Sequence, residues 1–151
     1  MPAELDLQNL ARIPIFAAME ADARRMIAFS GETKLLRAGE VLFRKGDPSD
    51  GGYFILSGAI DLIGASSADE QAQTARAFSL IGEIAMISPT ERAGTARVRE
   101  AAGVLKISRS LFHRVLMDYP ESAVRVRRFL AGRLKDFARQ LELAKQQSFA
   151  S

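Results

Sequence analysis

The sequence predicts an α+β fold: an antiparallel β-roll of the jelly-roll kind, preceded by short helices and followed by a long C-terminal helix. Three observations predict it. Apolar residues recur at helical spacing near the start, at Leu7, Leu10 and Ala11 and again at Ala23, Met26 and Ile27. From Thr33 they come instead as short runs broken by turn signals, the mark of an antiparallel sandwich or barrel. After Pro120, Leu130, Leu134, Phe137, Leu141 and Ala144 recur at spacings of four and three.

Taken in order, residues 4–29 read as helical with one break. Pro14 interrupts the pattern, and Ile15 and Phe16 read as a buried elbow. A second helix is expected from Glu20 to Phe29, closed at Ser30-Gly31 by the usual glycine stop. The expected strands are Lys34–Leu36, Val41–Phe43, Tyr53–Leu56 and Ile60–Ile63. Gly39, Gly46 and Gly58 fall between them, where tight turns favour positive φ. Gly64 to Gln73 reads as a loop, and Thr74 to Leu80 as a further strand. Ala96–Glu100 and Gly103–Ile107 read as the last two strands. Ser108 is a suitable N-cap for a helix from Arg109 to Met117. Asp118-Tyr119-Pro120 ends that helix, and a long one follows to about Gln147. The division is therefore one domain, 1–151: helices over 1–32, the β-roll over 33–107 and helices over 108–151.

Composition removes several kinds of chemistry. There is no cysteine, which excludes disulfides, thiol catalysis and cysteine-held clusters. One histidine, His113, leaves no multi-histidine metal centre, so a cupin-type enzyme is not expected. His113 itself reads as a helix-surface or half-buried residue and not as a ligand. The first residues lack a basic flank followed by an apolar run, and no apolar run reaches membrane-spanning length. The expected home is the cytoplasm. The chain carries a net +3, and residues from Pro120 onward hold seven basic side chains against three acidic ones. Either that helix presents a solvated charged face or it meets an acidic partner.

The stretch from Ile81 to Val98 carries the chemistry. Gly82 and Glu83 precede a short apolar turn, Ile84–Ile87, which Pro89 stops. Arg92 follows, beside Ala93, Gly94 and Thr95. Small residues let a backbone approach a ligand, and amides of a helical first turn favour an anion. Arginine can fork onto a phosphate, and Glu83 can accept from a sugar hydroxyl. Pairing of Arg92 with Glu83 or Glu91 at the surface is the plainer alternative.

Two segments, Arg37 through Gly58 and Ile81 through Val98, in this order between helices, resemble the cyclic nucleotide-binding domain family. The resemblance covers roughly residues 10–145. It implies a β-roll with an embedded phosphate-binding cassette at 81–98. It places the ribose-binding glutamate on Glu83 and the cyclic-phosphate arginine on Arg92. It also implies that amides around Gly82, Ile84, Ala85 and Ala93 complete the cradle. In the family a hydroxyl at the place of Gly94 favours cyclic GMP, so the ligand implied is cyclic AMP before cyclic GMP, with no other cofactor and no metal. Thr95 lies one place later. Leu62 is either an apolar wall for the base or plain core. Phe137, with Arg133 or Arg139 nearby, is either a lid over the purine or part of a packed seam. The family usually has a glycine-bearing turn before the Gly-Glu pair, whereas this chain has Arg76 through Ile81 without one; a shortened or rearranged hairpin is expected there.

The function implied is a non-catalytic sensor that couples cyclic-nucleotide binding to movement of the C-terminal helix. The stripe along that helix either packs on the roll or pairs with a second copy as a homodimer. No helix-turn-helix follows the long helix, so direct DNA contact by this chain is not expected. The output would pass to an effector protein. The alternative is the ligand-sensing piece of a catabolite-activator-type transcription regulator or of a channel.

Overall fold

The computed structural model describes residues 4–64 and 73–150. The expected loop at 64–73 lies almost wholly outside them. Three short helices come first: α1 (Glu4–Leu10), α2 (Pro14–Ala17) and α3 (Ala21–Ser30). Pro14 sits in the first turn of α2, where a missing N–H costs nothing. Glu20 caps α3 from outside the helix, and its amide donates to Ser122 Oγ at 2.9 Å. Gly31 ends α3 in extended backbone, φ −66°, so no left-handed turn calls for glycine there. Its role is clearance: a β carbon would lie 2.7 Å from Leu105 Cδ1.

The described strands are β1 (Glu32–Leu36), β2 (Val41–Phe43), β3 (Gly51–Ile63), β4 (Gln73–Arg76), β5 (Leu80–Ile81) and β6 (Thr95–Ser108). They form one antiparallel sheet in the order β1-β6-β3-β4, with β2 also on β6 and β5 also on β3. Between β5 and β6 lies a five-residue helix, α4 (Glu83–Ile87). The chain ends in α5 (Arg109–Asp118) and α6 (Pro120–Ala150). Ser108 caps α5 as expected, its Oγ accepting from the Leu111 amide at 3.1 Å.

Two expected strand pairs are single long strands. Gly58 is left-handed, φ 83°, but it sits in a bulge of β3 and not in a chain reversal. A β carbon there would meet the Ala101 carbonyl oxygen at 2.2 Å, so the facing strand requires glycine. Ser57 Oγ accepts from the Gly103 amide at 3.0 Å and mends the ladder where the register shifts. The bulge bends β3 and β6 together without breaking either. Conversely, the single strand expected over Thr74–Leu80 is β4, a turn and β5. The turn is made by Phe78 at φ 67°, the one non-glycine residue with positive φ among the described residues. Its amide donates to the Ile55 carbonyl at 2.8 Å.

The period-two alternation of β3 divides the core. Phe54 joins Phe16, Ile27, Leu105, Ile107 and Phe112 under the helices. Its neighbours Tyr53 and Ile55 join Ile60, Val98 and Val104 inside the roll. Each fully buried Phe or Ile contributes about 1.5–3 kcal/mol by leaving water. The stripe of α6 begins packed and continues exposed. Val126, Phe129 and Leu130 pack against the helical core. Leu134, Phe137 and Leu141 are exposed, and the basic residues from Arg125 to Arg139 are solvated.

Candidate functional site

Gly82 stops β5 and caps α4 in left-handed backbone, φ 80°. That turn throws Glu83 and the short helix across the mouth of the roll. Ala85 and Met86 are buried against β3 while Ile84 stays exposed. The amide of Ala85 donates to the Gly82 carbonyl at 3.1 Å, so it is engaged in the helix's first turn.

The return segment is laced to the loop before β3. The Arg92 amide donates to the Asp47 carbonyl at 2.8 Å, and Gly46 donates back to Arg92 at 2.8 Å. Ser49 Oγ donates to the Thr90 carbonyl at 2.6 Å. Thr95 Oγ1 accepts from the Lys45 amide at 3.0 Å. Arg109 on α5 clamps this base from below, donating to Ala85 and Ser49 carbonyls at 3.0 and 2.6 Å. His113 Nε2 donates to the carbonyl of Ile87 at 2.9 Å, so the one histidine holds the end of α4 to α5.

Arg92 is the unusual member. It is 7 % exposed, yet among the described residues it forms no ion pair with a carboxylate. Nη2 donates to the Gly51 carbonyl at 2.8 Å, and the guanidinium lies 4.2 Å over the Phe43 ring. Burial pulls its pKa below the ordinary arginine value, partly offset by Tyr53 and Asp50. It remains charged at neutral pH. The alternative, a surface pairing of Arg92 with Glu83 or Glu91, is not found among the described residues.

Arg92 borders a cavity of about 230 Å³. Gly82, Ile84, Ala85, Ala93 and Gly94 line it together with Leu62 from β3. Ile81, Thr90, Glu91 and Phe43 complete the lining; of these four, Phe43 alone lies outside the stretch from Ile81 to Val98, because only the fold brings β2 to this mouth. Glu83 is half-buried and does not line the cavity, although its neighbours Gly82 and Ile84 do; it accepts from Arg133 of α6. Arg133 also lies 4.5 Å over the Phe129 ring. Phe137 is 57 % exposed and does not border the cavity.

The pattern that defines the cyclic nucleotide-binding domain matches residues 33–119. The chain belongs to the cyclic nucleotide-binding domain family. This domain is similar in structure to the N-terminal domain of a transcriptional regulator from Streptomyces coelicolor A3(2). The TM-score is 0.80 at 27 % identity, covering 88 % of this chain and 94 % of the other. It also resembles a cyclic nucleotide-binding-like protein from Brucella abortus, with TM-score 0.67, 32 % identity and coverage of 74 % and 97 %. Among curated relatives, the cAMP-dependent protein kinase regulatory subunit of Emericella nidulans is 27 % identical over 107 residues, 71 % of this chain and 26 % of that protein. The domain spans 8 % of the length of the Neurospora crassa lysophospholipase nte1 that it also matches. Among the described residues, no helix is long and apolar enough to cross a membrane.

Proposed function

We propose that this domain is a cytoplasmic sensor of a cyclic nucleotide, cyclic AMP before cyclic GMP, that transmits binding through its C-terminal helix and is not itself catalytic. The observation that carries the reading is Arg92. A buried cation without a counter-ion is costly unless a ligand supplies one, and a cyclic phosphate is a monoanion that fits the role. The neighbouring apolar walls, Leu62 and Ile81 among them, suit a purine. Glu83, between the lining residues Gly82 and Ile84, suits a ribose hydroxyl, and the amides near Gly82, Ile84 and Ala93 suit the phosphate oxygens. No metal or further cofactor is needed for this role.

Coupling runs through Glu83. It already touches Arg133, so a ribose engaging Glu83 meets α6 at the same carboxylate. Binding can shift α6 only by its differential affinity for the two positions. The exposed Leu134, Phe137 and Leu141 offer a face for a second copy, and the output then passes to an effector protein. A second reading is a ligand-sensing piece of a catabolite-activator-type transcription regulator or of a channel. The likeness to the Streptomyces regulator's N-terminal domain favours the regulator.

Titration calorimetry with cyclic AMP and cyclic GMP tests the reading. Wild type should bind cyclic AMP at micromolar concentration or tighter, near −8 kcal/mol on the order-of-magnitude scale. Arg92→Ala should lose binding while keeping its fold, and Glu83→Ala should weaken it less. Equal binding by wild type and Arg92→Ala would sink the mechanism.

A further inference from the structure

Arg92 is held in place by groups that leave its charge unspent. Its guanidinium carbon lies 4.2 Å from the centroid of Phe43 and 5.7 Å from that of Tyr53. The two rings are 6.1 Å apart and tilted by 30°, so they form one aromatic corner. Tyr53 is buried and has a second cation beside it, Lys106, 5.9 Å from the ring centroid. Lys106 is itself paired with Asp50 at 2.9 Å, so it competes for no anion at the cavity. On another side Gly82 approaches so closely that a β carbon would sit 2.7 Å from Arg92 Nη1. The Gly51 carbonyl fixes Nη2.

A carboxylate would orient a guanidinium equally well, but it would neutralise the charge that a ligand must meet. A ring face attracts a cation through its quadrupole, and the attraction grows when water is excluded. It carries no net charge, so the cation stays available. We propose that Phe43, backed by Tyr53, is a positioning residue for Arg92, fixing the guanidinium at the cavity wall while leaving its charge for the anionic group of the ligand. The proposal rests on the reading of Arg92 as the phosphate-binding residue. It makes the aromatic corner a determinant of affinity for the phosphate.

Two measurements test it. The first needs no ligand. The guanidinium NMR signals of Arg92, assigned by their loss in Arg92→Lys, should be shifted by the ring current and resolved from those of exposed arginines. Phe43→Leu should return them to the exposed range, and Phe43→Tyr should not. Unchanged signals in Phe43→Leu overturn the proposal. The second is a double-mutant cycle by calorimetry with cyclic AMP. Phe43→Leu should weaken binding about tenfold, and Phe43→Tyr should stay within about threefold of wild type. In an Arg92→Lys background, Phe43→Leu should change affinity by less than about twofold, because an ammonium lacks the flat face that the ring supports. A tenfold loss that persists in that background means that Phe43 touches the ligand directly, and overturns the positioning role. If wild type binds no cyclic nucleotide, the ligand reading falls, and the ligand-free spectra still decide whether the corner holds Arg92.

Discussion

A β carbon on Gly82 would lie 2.7 Å from Nη1 of Arg92. The glycine that starts the cassette helix and the arginine that follows that helix thus occupy adjoining space, ten residues apart in sequence. Gly82 answers two demands at once, since its φ of 80° is also left-handed.

Those demands can be separated. Gly39 has φ 91°, and a β carbon there would have nothing within 4 Å, so Gly39→Ala tests strain alone. It should cost about 1–2 kcal/mol in denaturant unfolding and leave ligand affinity intact. Gly82→Ala should cost more than Gly39→Ala and abolish binding as well, because Arg92 must move. Equal effects of the two substitutions on affinity would show that Gly82 matters only for its backbone.

Phe78 supplies the left-handed turn where a glycine is usual, so strain and packing oppose each other there. Left-handed backbone costs about 1–2 kcal/mol. Its ring is partly buried beside Phe54 at 6.3 Å, with Arg12 5.7 Å from the ring centroid, and burying a Phe side chain contributes up to about 3 kcal/mol. Glycine also loses more backbone entropy, about 0.5–1 kcal/mol. Phe78→Gly should therefore be net destabilising by about 1 kcal/mol in equilibrium urea unfolding. A gain in stability would mean that the strain exceeds the packing.

Asp61 ties β3 to its neighbours and should make stability fall in acid. Its Oδ1 accepts from Thr74 Oγ1 at 2.7 Å and its Oδ2 from Arg99 Nε at 3.0 Å. Thr74's hydrogen bond, then Arg99, hold its pKa below the ordinary carboxylate value against a smaller desolvation cost. A carboxyl depressed in the folded state stabilises above its unfolded pKa, and the contribution is lost as pH falls through the folded value. Thermal unfolding of wild type should thus lose more midpoint between about pH 5 and pH 3 than that of Asp61→Asn. Parallel curves for the two proteins would remove Asp61 as a cause.

What was legible in the sequence followed from local signals. Helical spacing, Ser108 as a cap and the positive φ of Gly39, Gly46 and Gly58 need only nearby residues. The family pattern pointed to Arg92, Leu62 and Gly94, which border the cavity, and to Glu83, which does not. The misreadings were long-range. Ser57-Gly58 looks like a turn until Ala101 and Gly103 are seen facing it, when it becomes a bulge. Gly31 looks like a left-handed stop until Leu105 is found against it. Gly51 and Gly52, on which the sequence offered no reading, are also required by facing chains, since β carbons there would meet Ile107 O at 2.3 Å and Ile81 O at 3.0 Å. Phe43 under Arg92 depends on the pairing of 44–49 with 90–95, which no local spacing announces.

Base choice is the finer property that the cavity should reveal. Ala93 and Gly94 both line it, and neither side chain offers a hydrogen-bonding group to a purine edge. Thr95 has a hydroxyl, but that oxygen accepts from the Lys45 amide and does not border the cavity. Guanine carries an amino group at C2 that adenine lacks, and a donor buried without an acceptor costs about 1–3 kcal/mol. Cyclic GMP should therefore bind more weakly than cyclic AMP if it takes the orientation that points its amine at residues 93 and 94. Ala93→Thr and Gly94→Ser each restore a hydroxyl on this wall. One net hydrogen bond contributes about 0.5–1.5 kcal/mol, or roughly two- to tenfold in affinity. Competition titrations of both variants with the two nucleotides should show the cyclic AMP preference shrinking by that factor in at least one. A preference unchanged in both would place the reading of the base on another wall of the cavity, with Leu62 and Ile84 as the residues to alter next.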